Sequence, residues 1–298
     1  KETPLSRKKL VITGANGYIA SLVALYNADR FDIVPVTRAD VDLSDPDAVR
    51  AYFSALDFDL LFHTAAVATT ALCENEPEMT HRVNVESPIV LAEVCRDKGA
   101  RFLFITTEQT FNAKTSGAPF AEDVEPESHS HYGRQKTEVD TWLAASDVDH
   151  VTLRLSWMMG MPLHGVRPSP NVALQVLEAV RTGTPASFKV HDHRCLTYAQ
   201  NLADSFARVC ELPRGTYNFA AETDGSVYEC ARRLAAAFGA TPEEVDALIR
   251  PDLESYADQP RDYRLDSSKI RAAGIDPGTF EGNVAAVMAD FGFPEKPF

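Results

Sequence analysis

The sequence predicts an α/β protein with a doubly wound parallel sheet. Strand-length apolar runs alternate with helix-length segments through the first half of its 298 residues, the pattern of a sheet covered by helices. A glycine-bearing turn closes the first apolar run. The run Arg101-Phe102-Leu103-Phe104-Ile105-Thr106 is apolar nearly throughout instead of alternating, as expected when helices cover both faces of a strand.

The elements follow in order. Residues 10–13 form a short apolar strand ending at Gly14, and 19–28 read as a helix. Residues 32–36 are a second strand, and 46–56 a second helix with Asp45 as its cap. Residues 60–63 are a third strand, 78–98 one long helix and 101–106 a fourth strand. A Pro- and acid-rich loop spans 117–130, then come a helix over 132–145 and a strand over 150–155. Beyond Trp157 the pattern loosens. A Met-, Gly- and Pro-rich loop covers 158–170. Helices are predicted over 172–181, 202–210, 227–238 and 267–273, a strand over 215–220, and a polar loop over 251–263.

Composition narrows the function. The net charge of −14 argues against a nucleic-acid groove, which needs a basic face. It leaves room for an anionic ligand, since a local arginine or a helix N-terminus can bind phosphate in an acidic protein. The five cysteines, Cys73, Cys95, Cys195, Cys210 and Cys230, are scattered and show no C-x-x-C spacing, so they read as reduced thiols of a cytoplasmic protein. No apolar run approaches about 18 residues, so no membrane span is expected. The polar stretch Lys1 to Lys9 has no apolar region behind it and does not read as a secretory signal. His191-Asp192-His193 lacks the further ligands of a closed metal site, and no metal is expected.

Thr13-Gly14-Ala15-Asn16-Gly17-Tyr18-Ile19-Ala20 joins the first strand to the first helix. Glycines at 14 and 17 permit a tight turn and close backbone approach to a pyrophosphate, which would face the free N–H groups at the helix start. This is the Rossmann-type version of the doubly wound sheet, and it implies a dinucleotide. No acidic residue ends the second strand, where one would bind a ribose 2′-hydroxyl. Arg38 stands there and suits a 2′-phosphate, which favours NADP and leaves NAD open. Asp42, followed by Leu43, is placed to accept from an adenine amino group. Residues 1–155 are then the dinucleotide-binding domain, with 187–222 returning to it. Residues 156–186 and 223–298 form a smaller substrate-binding lobe.

Tyr132-Gly133-Arg134-Gln135-Lys136 places a phenol and an amine on one helix face, at i and i+4. A lysine ammonium beside a phenol favours the phenolate, so the Tyr132 pKa is expected to fall into a range useful for proton transfer.

Together these residues resemble the extended short-chain dehydrogenase/reductases, in the branch of the dTDP-4-dehydrorhamnose reductases. The resemblance covers nearly the whole chain. Its further elements are Ala65-Ala66, Glu74-Asn75-Glu76-Pro77, Val83-Asn84, Thr106-Thr107-Glu108, Leu155-Ser156-Trp157, Pro260-Arg261 and Leu265-Asp266-x-Ser268-Lys269. It implies that Tyr132 donates its proton to a carbonyl oxygen, that Lys136 binds the nicotinamide ribose and tunes Tyr132, and that Thr107 bonds the same oxygen. It further implies that Ala65, Ala66 and Asn84 line the cofactor channel. Glu108, Phe111, Trp157, Asn171 and Arg194 are expected at the substrate, with Arg194 meeting a nucleotide phosphate.

Departures from the family pattern bear on the substrate. Glu108 replaces an aspartate and Gln109 an aromatic residue, both facing the expected pocket. The implied activity is an NAD(P)H-dependent reduction of a keto group on a nucleotide-linked deoxysugar, with a homodimer left open. Two alternatives stand. One is an epimerase of the same family. The other is a non-catalytic NADP-binding regulatory subunit, because the chain is also similar to the regulatory subunit of methionine adenosyltransferase.

Overall fold

The computed structural model describes residues 7–292. Most of the polar N-terminal stretch, residues 1–6, lies outside them, as do 293–298. The first half alternates as expected: β1 Lys9–Thr13, α1 Tyr18–Tyr26, β2 Asp32–Val36, α2 Pro46–Ala55, β3 Leu60–His63, α3 Thr70–Asn75, α4 Pro77–His81, α5 Ser87–Lys98, β4 Arg101–Thr107, α6 His131–Ala145 and β5 His150–Leu155.

Six strands form the central sheet, in the order Gly215–Phe219, β5, β4, β3, β1, β2. The pairs β1–β2, β1–β3 and β3–β4 are parallel, with Leu10 opposite Ile33 on one side and Leu60 on the other. The chain therefore winds one way from β1 to β2 and the other way from β1 to β3. The carboxyl ends of β1 and β3 flank that reversal, the place where ligands bind in open α/β sheets.

Local chemistry explains the boundaries. Asp45 caps α2, accepting from the N–H groups of Asp47 and Ala48, and Pro46 opens the helix. Gly99, at φ 68°, closes α5 in the left-handed conformation. The single long helix expected over 78–98 is interrupted. Arg82–Glu86 forms a π-helical turn in which the Ser87 N–H reaches back five residues to the Arg82 carbonyl. Pro88 lacks the N–H that would otherwise bond the Asn84 carbonyl, so the regular ladder has no partner to offer there.

The chain divides into two compact units. Within its described residues the first holds 7–113, 125–154 and 203–217; the second holds 114–124, 155–202 and 218–292. This differs from the division expected from sequence: 114–124, 187–202 and 218–222 belong with the second unit. Phe120 shows why for the first of these segments. Its N–H donates to the Arg264 carbonyl, and the Asn218 side chain donates to its carbonyl.

The first unit's core packs Val11, Leu61, Phe102, Phe104, Val139 and Leu143 together. Behind it Phe206 meets Phe62 at 4.7 Å and Phe31 at 6.2 Å between ring centroids. The second unit is built around helices Val172–Thr182, Val227–Ala237 and Phe280–Asp290, with Met159 and Met161 buried among them as ordinary packing. Helices Pro242–Leu248 and Phe280–Asp290 and several two- to four-residue strands were not expected. Among the described residues no helix is long and apolar enough to cross a membrane.

Phe206 is fully buried. Phe206→Ala is expected to cost about 3–5 kcal/mol of stability, read as a lowered urea midpoint of the first unit.

Candidate active site

The glycine turn begins with Gly14 at φ 65°. A Cβ added there would lie 3.0 Å from the backbone of Ala65 and from Thr64 Oγ1, so only glycine lets the β1 turn approach the end of β3 this closely. The Gly17 N–H donates to the Gly14 carbonyl at 2.7 Å, and Gly17 then serves as the N-cap of α1. The first intrahelical bond runs from the Ser21 N–H to Gly17 O, which leaves the N–H groups of Tyr18, Ile19 and Ala20 without an intrahelical acceptor. Asn16 is exposed beside them, and Ala65 and Ala66 keep part of their surface open.

Arg38 follows β2, is exposed, and has no ion-pair partner among the described residues. Asp42 is exposed and accepts from the N–H and hydroxyl of Ser44, both at 2.8 Å, which hold its carboxyl below the usual range. Leu43 is buried next to it. Tyr18 is buried and its hydroxyl has no hydrogen-bond partner among the described residues.

Tyr132, Lys136 and Thr107 come together in the first unit, on α6 and the end of β4. Close packing sets the position of α6. A Cβ on Gly133 would collide with the Gln109 carbonyl and with Ser128 Oγ, so the glycine admits the 107–112 segment against the first turn. Ser130 caps that turn, accepting from the Gly133 N–H at 3.1 Å. Asn112 ties cap to segment, donating to Ser130 Oγ at 2.7 Å and accepting from Ser128 Oγ at 2.8 Å.

Lys136 is buried. Its Nζ donates to the Ile105 carbonyl at 2.9 Å and sits 4.5 Å from the centroid of the Phe104 ring. Burial pushes the ammonium down to about 8, against the pull of Asp140. The expected effect on Tyr132 is reversed. No hydrogen bond joins the phenol to Lys136 among the described residues. Burial first, then the Glu108 carboxylate and the Cys73 thiol, raise the phenol above its ordinary range. Tyr132 is therefore held in its protonated, donating form. The spacing i and i+4 brings the two side chains to one face, but the lysine is turned toward β4.

The Thr107 hydroxyl donates to Glu108 Oε2 at 3.0 Å and accepts from the Gln109 N–H at 3.2 Å. Gln109 Nε2 donates to the other Glu108 oxygen at 3.0 Å. Glu108 is thus a buried carboxylate clasped by its two chain neighbours, beside the phenol.

Several residues expected at the ligands are engaged within the chain. Asn84 is fully buried in the π turn: its amide exchanges hydrogen bonds with Val67 at 2.8 and 3.0 Å and donates to Gln135 Oε1 at 2.8 Å. It braces the loop after β3 from behind instead of lining a channel. Phe111 is fully buried and lies under the Arg154 guanidinium at 4.9 Å. Asn171 is the N-cap of helix Val172–Thr182, its amide spent on Leu174 N–H and on the Gly160 and Ser169 carbonyls. Arg194 is buried against Asp192 at 2.7 Å and lies between the rings of Trp157 and Tyr263, so it offers no free arm to a phosphate. Trp157 remains half-buried. Arg261 is half-buried on the Tyr256 ring at 3.5 Å, with no carboxylate partner among the described residues. Among those residues no group of three or more His, Cys, Asp and Glu could hold a metal ion.

Sequence reasoning passed over Asp140, a carboxylate one turn beyond Lys136, and Arg154, the lone charge in an apolar strand. Both signals were present in the sequence.

A family model described as RmlD substrate binding domain matches residues 8–293. The chain belongs to this family. A relative is the dTDP-4-dehydrorhamnose reductase of Mycolicibacterium smegmatis, 27% identical over 274 residues that span 91% of this chain and 81% of that one. Methionine adenosyltransferase 2 subunit beta of Bos taurus is 22% identical over 293 residues, covering 92% and 85%. The fold matches the crystal structure of a Bacillus anthracis dTDP-4-dehydrorhamnose reductase solved with NADP, at a TM-score of 0.83 and 18% identity, covering 97% of this chain and 100% of that one.

The packing at Gly133 leads to a direct expectation. Gly133→Ala should cost about 1–3 kcal/mol through overpacking, visible in urea unfolding, because the obstructing Gln109 atom is backbone.

Proposed function

We propose that this chain is an NAD(P)H-dependent reductase of a keto group on a nucleotide-linked deoxysugar, resembling dTDP-4-dehydrorhamnose reductase. The observation that carries this reading is the Tyr132 helix packed at Gly133 against the segment of Thr107 and Glu108 and anchored by the buried Lys136, with the phenol raised by burial and by Glu108. Reduction of a ketone needs a proton donor at the oxygen that gains charge, and a phenol raised by burial supplies one at neutral pH. Membership in the family and the reductase relatives support the same chemistry.

The residues at the switch point fit a dinucleotide. Gly14 packs directly against the end of β3, and the N–H groups of Tyr18, Ile19 and Ala20, which have no intrahelical acceptor, suit a diphosphate. Arg38, exposed and unpaired, suits a 2′-phosphate and favours NADP, with NAD the alternative. When bound, the nicotinamide would supply hydride to the carbonyl carbon. Tyr132 would pass its proton to the carbonyl oxygen, and Thr107 would turn its hydroxyl from Glu108 to steady the same oxygen. Lys136 would present its ammonium to the ribose and to the phenolate that forms. The second compact unit is the proposed substrate-binding lobe. Five buried free thiols support a reducing, cytoplasmic setting.

A regulatory reading is favoured by one observation, the similarity to methionine adenosyltransferase 2 subunit beta. Turnover separates the two. NADPH oxidation with a dTDP-4-keto-6-deoxy sugar should be followed by nicotinamide absorbance, alongside Tyr132→Phe. The variant should lose about 10²- to 10⁴-fold in kcat while binding NADPH normally. NADPH binding without turnover by the unmodified chain would transfer support to the regulatory reading.

The pH profile provides a second check. The Lys136 ammonium exists below about 8 and is lost above it, whereas Tyr132 stays protonated through this range. kcat/KM for reduction should therefore be level near neutrality and decline as pH rises through about 8.

A further inference from the structure

Asp140 and Arg154 lie in the interior of the first unit, behind the side chains used so far. Asp140 follows Lys136 by one turn on the same face of α6, and Arg154 projects from β5. Both are nearly inaccessible, at 8% and 3% exposure. Arg154 Nη2 stands 3.7 Å from Asp140 Oδ2, and neither Asp140 oxygen makes a direct hydrogen bond.

A purely structural ion pair at this depth would be expected to close, because desolvating two charges is offset only by good contact. The buried pair Asp192–Arg194 does close, at 2.7 Å. Asp140 stands off Arg154 and lies one turn from Lys136 on the same face of α6, near enough to act on the ammonium through space.

We propose that Asp140, held in place by Arg154, is a positioning residue that keeps Lys136 in its ammonium form. The inference rests on the reductase reading for its link to turnover, and on the i and i+4 placement of the two groups on α6 for its effect on Lys136.

The surroundings of both groups are consistent with this. Facing Lys136 are Asp140 on α6, Cys73 on α3, His63 on β3, and the Phe104 ring and Ile105 carbonyl of β4. Burial, followed by the Lys136 charge, drives His63 down to about 3, so it stays neutral and adds no repulsion. Cys73 is itself raised by burial and stays a thiol. That leaves Asp140 as the full negative charge among these neighbours. Facing Asp140 are Arg154, Thr106 and Lys136. Burial raises its carboxyl to about 6 against the pull of Arg154. From about 6 to about 8 all three groups are therefore charged. The two cations repel each other, and Asp140 between them offsets that cost.

The test titrates Lys136 by NMR in the ligand-free chain, with ¹³C,¹⁵N-labelled lysine and Lys136→Met to assign the signal. The midpoint should lie near 8 and fall by about one pH unit or more in Asp140→Asn. Asp140→Glu should restore most of the shift. The alkaline limb of kcat/KM should move by the same amount in the same direction, with the plateau on its acid side retained. Because Asp140→Asn also takes its carboxylate away from the buried Arg154, the measurement is repeated with D140N/R154M against R154M. A Lys136 midpoint unmoved by Asp140→Asn, or unmoved between R154M and D140N/R154M where D140N does not fold, overturns the proposal. A moved midpoint with an unmoved alkaline limb overturns the link to turnover. If the unmodified chain shows no turnover on nucleotide keto sugars, the reductase reading fails while the titration still decides what Asp140 does.

Discussion

A lysine ammonium sealed against the back of strand β4 organises the site. Its hydrogen bond to the Ile105 carbonyl and its seat over the Phe104 ring replace the water lost on burial. A cation taken out of water must find such partners or give up its proton. The surroundings of Lys136 satisfy that condition with a carbonyl, an aromatic face and a carboxylate one turn away. Each lies on α6 or β4, so the seam between that helix and that strand is where fold stability and site chemistry meet.

The same seam fixes the phenol. Gly133 removes the side chain that would hold α6 off the 107–112 segment, and the Asn112–Ser128–Ser130 network locks the resulting approach. Glu108 then lies next to Tyr132 and, with burial, raises the phenol instead of lowering it. That suits the proposed role of Tyr132 as a proton donor. A carboxylate beside a proton donor protects the neutral phenol until charge develops on the acceptor. Its clasp on the Thr107 hydroxyl keeps a second donor in reserve.

Much of this was legible in the residues. Alternating apolar runs set β1 to β5 within a residue or two, because strands covered on both faces are apolar throughout. Asp45 and Pro46 announced the start of α2. What escaped has physical causes. Strands of two to four residues are too short to show a period. The π turn at Arg82–Glu86 results from Pro88 acting on a carbonyl four residues earlier, inside a run that reads as continuous helix. Arg194 was expected at a phosphate from the family resemblance, and only the folded backbone shows that its side chain meets that of Asp192 two residues earlier.

By itself the sequence determined the doubly wound class, the glycine turn and the candidates for the reacting groups, since these depend on local periodicity, on glycine's conformational freedom and on side-chain chemistry. Only the tertiary structure decided their electrostatic state. Whether Tyr132 is raised or lowered, whether Lys136 keeps its proton, and whether Asn84, Phe111, Asn171 and Arg194 face a ligand or the interior all depend on burial and on neighbours distant in the chain. Desolvation and Coulomb interaction act through space, and only the folded chain fixes those distances.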